Sequence, residues 1–82
     1  MYSIELTNTA EKQLYKLPKE LQIRIVNVLE RIKLRPYHFT KRKEGTEYFI
    51  SRIGHYRAIL AILDKEKRII VSEIGHRKNI YD

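Results

Sequence analysis

The residues best suited to chemistry lie in the last third of the chain, where arginines, histidines and tyrosines recur from Tyr48 to Tyr81. Ile53-Gly54-His55-Tyr56 reads as a tight hairpin, because Gly54 can take the positive φ that a two-residue loop needs. If Ile53 pairs with Tyr56, the next rung sets Arg52 opposite Arg57. Sheets normally avoid such like-charge pairs, and a polyanion lying over them would explain this one. Gly75-His76-Arg77-Lys78 then returns along the last strand to the same end of the sheet, followed by Tyr81. The expected site handles phosphate, with a phenol beside it.

Arg57 is the first candidate, since it interrupts an otherwise apolar strand where an unpaired guanidinium is costly to bury. A structural pairing with Glu73 on the neighbouring strand is the alternative. Pairing of the last two strands predicts Ile74 or Gly75 alongside Arg57, with Arg77 a short reach away. Arginine's planar fork grips phosphate through two parallel hydrogen bonds, which lysine cannot do. Tyr81 is a packing aromatic or chain end on one reading. On the other, clustered arginines stabilise its phenolate and make it a general base for a hydroxyl. His76 is a candidate for orienting phosphate or exchanging a proton, with an exposed loop histidine as the alternative. Lys78 is a phosphate-binding candidate, and His38 and His55 read as loop and turn residues. Lys41-Arg42-Lys43 reads as a guide for a nucleic-acid backbone or as a solvated loop. No pair of histidines or carboxylates has a metal-ligand spacing, and no Gly-rich phosphate loop occurs. No metal or cofactor is expected.

Size and composition bound the rest. Eighty-two residues suit one domain over 1–82 with a modest core. The 17 Lys and Arg against 10 Asp and Glu give +7, which favours nucleic acid, an acidic protein or an anionic surface as partner. The absence of cysteine excludes a disulfide framework, a thiolate nucleophile and cysteine-built zinc sites. No apolar run approaches the roughly 20 residues of a membrane span. The N-terminus reads as a strand and not as a leader, so a cytoplasmic protein is expected.

The elements that must position the site follow from pattern. Tyr2 to Leu6 alternates as a first strand. Asn8 and Glu11 have capping-box spacing, opening a short helix with the buried stripe Ala10, Leu14 and Leu17. Pro18 suits the first turn of a second helix, which runs to about Lys33 with Leu21, Ile25, Val28 and Ile32 inward. Pro36 ends it. A basic loop from Tyr37 to about Thr46 turns at Gly45. Three strands follow, roughly Tyr48 to Ile53, Tyr56 to Leu63 and Arg68 to Ile74, with Asp64-Lys65-Glu66-Lys67 as the second hairpin loop. The middle strand is apolar on both faces except at Arg57, as the centre of a sheet would be. The order β-α-α-β-β-β predicts an α+β domain: an N-terminal strand, a helical hairpin, then a three-stranded antiparallel meander.

Lys16-Leu17-Pro18-Lys19-Glu20-Leu21, Arg52-Ile53-Gly54-His55-Tyr56-Arg57 and Ile74-Gly75-His76-Arg77-Lys78-Asn79-Ile80-Tyr81 together resemble the RelE/ParE superfamily of type II toxin–antitoxin toxins, in its RelE-like branch. The resemblance covers nearly the whole chain. It implies a ribosome-dependent mRNA endoribonuclease that needs no metal and cuts through attack of a ribose 2′-OH on the adjacent phosphate. By the same resemblance Arg57 would hold the scissile phosphate, and Arg77 would stabilise the developing charge or leaving group. Tyr81 would be the base, and Arg52 a basic residue of the cleft. The implied partners are the ribosome, mRNA and an acidic, RelB-like antitoxin, with no membrane. One departure stands out: family members often carry a basic residue where this chain has Ile50, and Lys41 or Lys43 could supply that charge from the loop. The fold also hosts ParE-type inhibitors of DNA gyrase, and fold alone does not choose between them. A basic RNA-binding module that does not cut is the third alternative.

Overall fold

The computed structural model describes residues 1–78, so Tyr81 and its neighbours Asn79, Ile80 and Asp82 lie outside the described residues. The elements are β1 (Ser3–Leu6), α1 (Asn8–Tyr15), α2 (Lys19–Leu34), β2 (Lys41–Arg42), β3 (Phe49–Ile53), β4 (Tyr56–Leu63) and β5 (Arg68–His76). The strands form one sheet in the order β1-β5-β4-β3-β2. β1 runs parallel to β5, and every other pairing is antiparallel. This is the expected α+β arrangement with β4 at the centre.

Several details differ from the sequence reading, among them that β5 runs two residues past the expected Ile74, to His76, and that Pro18 caps α2 from outside its first turn. The basic loop contains a two-residue strand, in which Lys41 pairs with Ile50 and Arg42 with Phe49. Polar residues at a sheet edge leave no alternation to detect, so this strand is silent in the sequence. The cap of α1 is Thr7 and not Asn8: its hydroxyl accepts from the Ala10 N–H at 3.1 Å. The same hydroxyl donates to the Ser72 carbonyl at 3.0 Å, a tertiary bond that a local capping pattern does not register.

Both helices cover one face of the sheet. Ala10 and Leu14 of α1 and Ile25, Leu29 and Ile32 of α2 meet Ile53, Ala58, Leu60, Ile69, Val71 and Ile74 in one cluster. Leu17, Leu21 and Val28 pack at its margin, and Leu29, which the stripe reading left out, lies inside it. Each fully buried aliphatic side chain of this kind contributes about 1.5–3 kcal/mol. α2 ends at Leu34, and Arg35 takes φ −142° and ψ 78°, the extended conformation that a following proline imposes. No helix among the described residues is long and apolar enough to cross a membrane.

The helix-free face carries the charges. Side chains alternate along a strand, so with Ala58 and Leu60 facing the helices, Arg57, Ile59, Ala61 and Leu63 face away. On β3, Ile53 faces the core, which leaves Arg52 and Ile50 on the open side.

Candidate functional site

The hairpin between β3 and β4 has the predicted register. Ile53 pairs with Tyr56, and Arg52 stands opposite Arg57. Gly54 takes φ +62°, and His55 is not among the positive-φ residues, the pattern of a II′ turn. The guanidinium of Arg24 on α2 lies over this glycine, 3.3 Å from where a Cβ would stand.

β5 brings the third arginine. Gly75 pairs with Arg57, as the sequence suggested, and adds no side chain there. Beyond the strand end, the Arg77 N–H donates to the His55 carbonyl at 2.8 Å, so pairing with the hairpin continues. Which face Arg77 takes is decided upstream, at a bulge. Ile59 pairs with Glu73 but Leu60 pairs with Val71, leaving Ser72 as the extra residue. Strict alternation from Ile69 and Val71 would turn residues 73, 75 and 77 toward the helices. The bulge shifts the phase by one, so Ile74 is buried and Gly75 and Arg77 fall on the open face with Arg57. Bulges commonly re-aim side chains in this way.

Three polar bonds fix the bulge. The Ser72 hydroxyl donates to the Ile59 carbonyl at 3.1 Å, and Thr7 donates to the Ser72 carbonyl. The Ile74 N–H, past the end of pairing with β1, donates to Oε1 of Gln13 on α1 at 2.7 Å. Neither Gln13 nor Thr7 was singled out from the sequence, because their partners lie more than 60 residues away.

The electrostatics agree with the geometry. Burial pushes the Arg57 guanidinium below its ordinary value, and the charges of Arg52 and Arg77 push it further in the same direction. Directly opposed residues have Cβ atoms about 4.5–5.5 Å apart, so the Arg52–Arg57 rung alone concentrates two positive charges. Glu73, the alternative structural partner of Arg57, stands opposite Ile59 on the same open face and is a diagonal neighbour of Arg57.

The other predicted residues divide. Lys41 sits directly across from Ile50, so it shares the open face and restores a positive charge beside that apolar position. Lys43 lies at the end of β2, its N–H donating to the Tyr48 carbonyl at 2.8 Å. His76 pairs with Tyr56 on the helix side of the sheet. Its ring meets that of Tyr56 edge-on at 5.3 Å and stacks on that of His55 at 6.1 Å. The Lys78 N–H donates to His76 Nδ1 at 3.2 Å. His76 therefore braces the strand end and does not face the arginines. Among the described residues no group of three or more His, Asp and Glu side chains could hold a metal ion.

A cleft of about 450 Å³ borders the arginines, lined by residues 38–44 together with Ile50 and Arg52. Ile50 and Arg52 are two apart on β3, so alternation alone places them on one face; that signal was available in the sequence. Phe39 and His38 opposite them were not legible, since nothing local tells which way a loop folds.

Comparison with known proteins agrees with this architecture. Residues 4–81 match the family described as ParE toxin of type II toxin–antitoxin system. The toxin RelG of Mycobacterium tuberculosis is 29% identical over 98% of this chain and 95% of its own. The RelBE2 toxin–antitoxin complex of the same organism contains a chain that superposes with a TM-score of 0.83 at 28% identity, covering 93% of this chain and 98% of that one. The archaeal RelE–RelB complex of Pyrococcus horikoshii gives a TM-score of 0.82 at 24% identity, over 96% and 98%, and at that identity shows the fold. This chain belongs to the RelE/ParE superfamily and is a toxin of the type II toxin–antitoxin class.

Proposed function

We propose that this toxin is a ribosome-dependent mRNA endoribonuclease. The observation that carries the reading is the convergence of Arg52, Arg57 and Arg77 on the helix-free face, with Arg57 held in surroundings that disfavour its own charge. A fold that keeps like charges together gains when a phosphate enters. In the reaction the ribose 2′ oxygen bonds to the adjacent phosphorus as the bond to the 5′ oxygen breaks, leaving a 2′,3′-cyclic phosphate. Arg57 stabilises the charge that gathers on the non-bridging oxygens, and Arg77 the departing 5′ oxygen. Preorganised cations are suited to both tasks. Tyr81 takes the proton of the 2′-OH. The ribosome's grip on the codon supplies in-line placement, so a small protein need not bind RNA extensively.

The partner in this reading is an antitoxin, as the toxin–antitoxin complex of the M. tuberculosis relative suggests, and the +7 charge of this chain favours an acidic, largely helical one. It covers Arg52, Arg57 and Arg77 with carboxylates or displaces the segment that carries Tyr81. Exposed contacts of the first kind weaken in salt. The site of action is the cytoplasm, where ribosomes are.

The test is a translation extract with a defined mRNA and mapping of new 5′ and 3′ ends. New ends inside the translated region that vanish when ribosomes are omitted are expected. Intact mRNA together with inhibited supercoiling by DNA gyrase would favour the ParE-type reading. Intact mRNA with RNA binding alone would leave a non-cutting module.

A further inference from the structure

The cleft beside Arg52 has the makings of a base-binding pocket. Its volume of about 450 Å³ lies within the roughly 300–1,000 Å³ of ligand-holding clefts. Its walls are unlike the arginine rung next door. Ile50, only 7% exposed, offers an aliphatic surface on the open face of β3, and Phe39, 38% exposed, presents a ring from the loop. His38 meets the Phe39 ring edge-on at 4.7 Å. Lys41, Arg42, Lys43 and Arg52 line the same cleft against a single acid, Glu44. An apolar interior with an aromatic ring and a cationic rim suits an unstacked nucleobase, whose flat face is apolar and whose attached phosphates are anionic.

Continuity with the arginines supplies the location. Arg52 lines the cleft and also stands opposite Arg57, so one side chain belongs to both. A nucleotide whose phosphate sits at Arg57 therefore has Arg52, and the cleft that Arg52 lines, beside it. Ile50 matters here as well: a long basic side chain at that position would fill the apolar side of the cleft, whereas isoleucine leaves it open and Lys41 across the ladder retains the charge.

We propose that this cleft holds one nucleobase of single-stranded RNA next to the scissile phosphate, packed between Phe39 and Ile50, and that it sets which codon positions are cut. The inference rests on the endoribonuclease reading for its consequence in cutting, but binding of a base can be measured without it.

Two measurements decide the matter. A single-stranded hexanucleotide with 2′-fluoro sugars lacks the attacking hydroxyl and is not cut. Titrated into the wild-type protein, it should shift the NMR signals of the Ile50 methyl groups and the Phe39 ring. Removal of one base from the hexanucleotide, or Phe39→Ala, should weaken binding at least about fivefold, as expected for loss of base–aromatic stacking. Phe39→Tyr should retain it. In the extract, Phe39→Ala should redistribute the cut sites among codons. A protein that does not cut but whose Phe39 and Ile50 signals respond keeps the pocket and loses the nuclease. A protein that cuts with the same codon distribution in Phe39→Ala keeps the nuclease and loses the pocket. Shifts confined to Arg52, Arg57 and Arg77 also overturn the pocket.

Discussion

The two ends of the sheet treat charge in opposite ways. At the end where β4 runs out, charged groups are tied to complements across the chain. Asp64 accepts from the Tyr2 hydroxyl at 2.7 Å and from the Tyr37 hydroxyl at 2.5 Å. Arg68 pairs with Glu5 at 2.8 Å and Glu66 at 2.9 Å, and the Lys67 ammonium lies 4.9 Å from the centre of the Tyr2 ring. Seven residues back along β4, about 23 Å away at strand spacing, Arg57 faces Arg52 with Arg77 nearby. One end ties the start of β1, the exit of α2 and the β4–β5 loop together. The other gathers three arginines on one face, an arrangement common where a site is shaped for a ligand.

The largest effect should come from the charged end. Arg77→Ala should lower ribosome-dependent cleavage by about 10²-fold or more through lost transition-state stabilisation, with the far-ultraviolet circular dichroism unchanged. Tyr81→Phe should slow cleavage as well if the phenol moves a proton. A folded Arg77→Ala protein that cuts at the wild-type rate would erase the functional difference between the two ends.

A middle-sized effect should arise where the bulge links stability to the site. Gln13→Met removes the acceptor of the Ile74 N–H and should cost about 1–2 kcal/mol in denaturant unfolding. It should also reduce cleavage, because the phase of β5 beyond Ser72 turns Arg77 to the open face. Loss of stability with full cleavage would show that the bulge holds without this clamp.

Legibility from sequence divides at the same bulge. The centre of the sheet and the Arg52–Arg57 rung follow from local rules, since an eight-residue apolar strand and a two-residue hairpin fix them, whereas the choice of Gly75 over Ile74 beside Arg57 depends on the bulge. Residues whose role depends on distant partners did not show. Ser72 is an ordinary strand residue until Ile59 and Thr7 bond it, and Phe39 is a loop aromatic until the loop folds back beside Ile50. His76 is a phosphate candidate only because a histidine beside arginines can orient phosphate or exchange a proton, and strand parity turns it to the helix side.

The paired end should give the smallest effect, visible mainly in pH. Hydrogen bonds from Tyr37 and Tyr2 hold the Asp64 carboxyl below its ordinary value of 3.8. A depressed carboxyl adds stability above that value and loses it as pH falls through the folded-state pKa. The bond to Asp64 raises the Tyr37 phenol to about 12, so its contribution is complete below 10 and is lost as pH rises from 10 to about 12. Tyr37→Phe should therefore lower Tm by no more than a few degrees at neutral pH and flatten the Tm profile in both windows. Cleavage should stay as it was. An unchanged profile would mean that the tyrosine–aspartate contact does not hold this end together.

The most direct test is to remove the charge at each end and follow stability and cleavage together. Arg57→Met keeps roughly the unbranched stem of the side chain and abolishes its charge, and Arg68→Met does the same at the paired end. For Arg57→Met the expected result is a Tm equal to or above that of the wild type, with cleavage reduced by about 10²-fold or more. Arg68→Met should lower Tm slightly, as loss of exposed ion pairs does, and cut normally. An Arg57→Met protein that cuts at the wild-type rate, or that loses cleavage only because it loses its fold, would contradict the account.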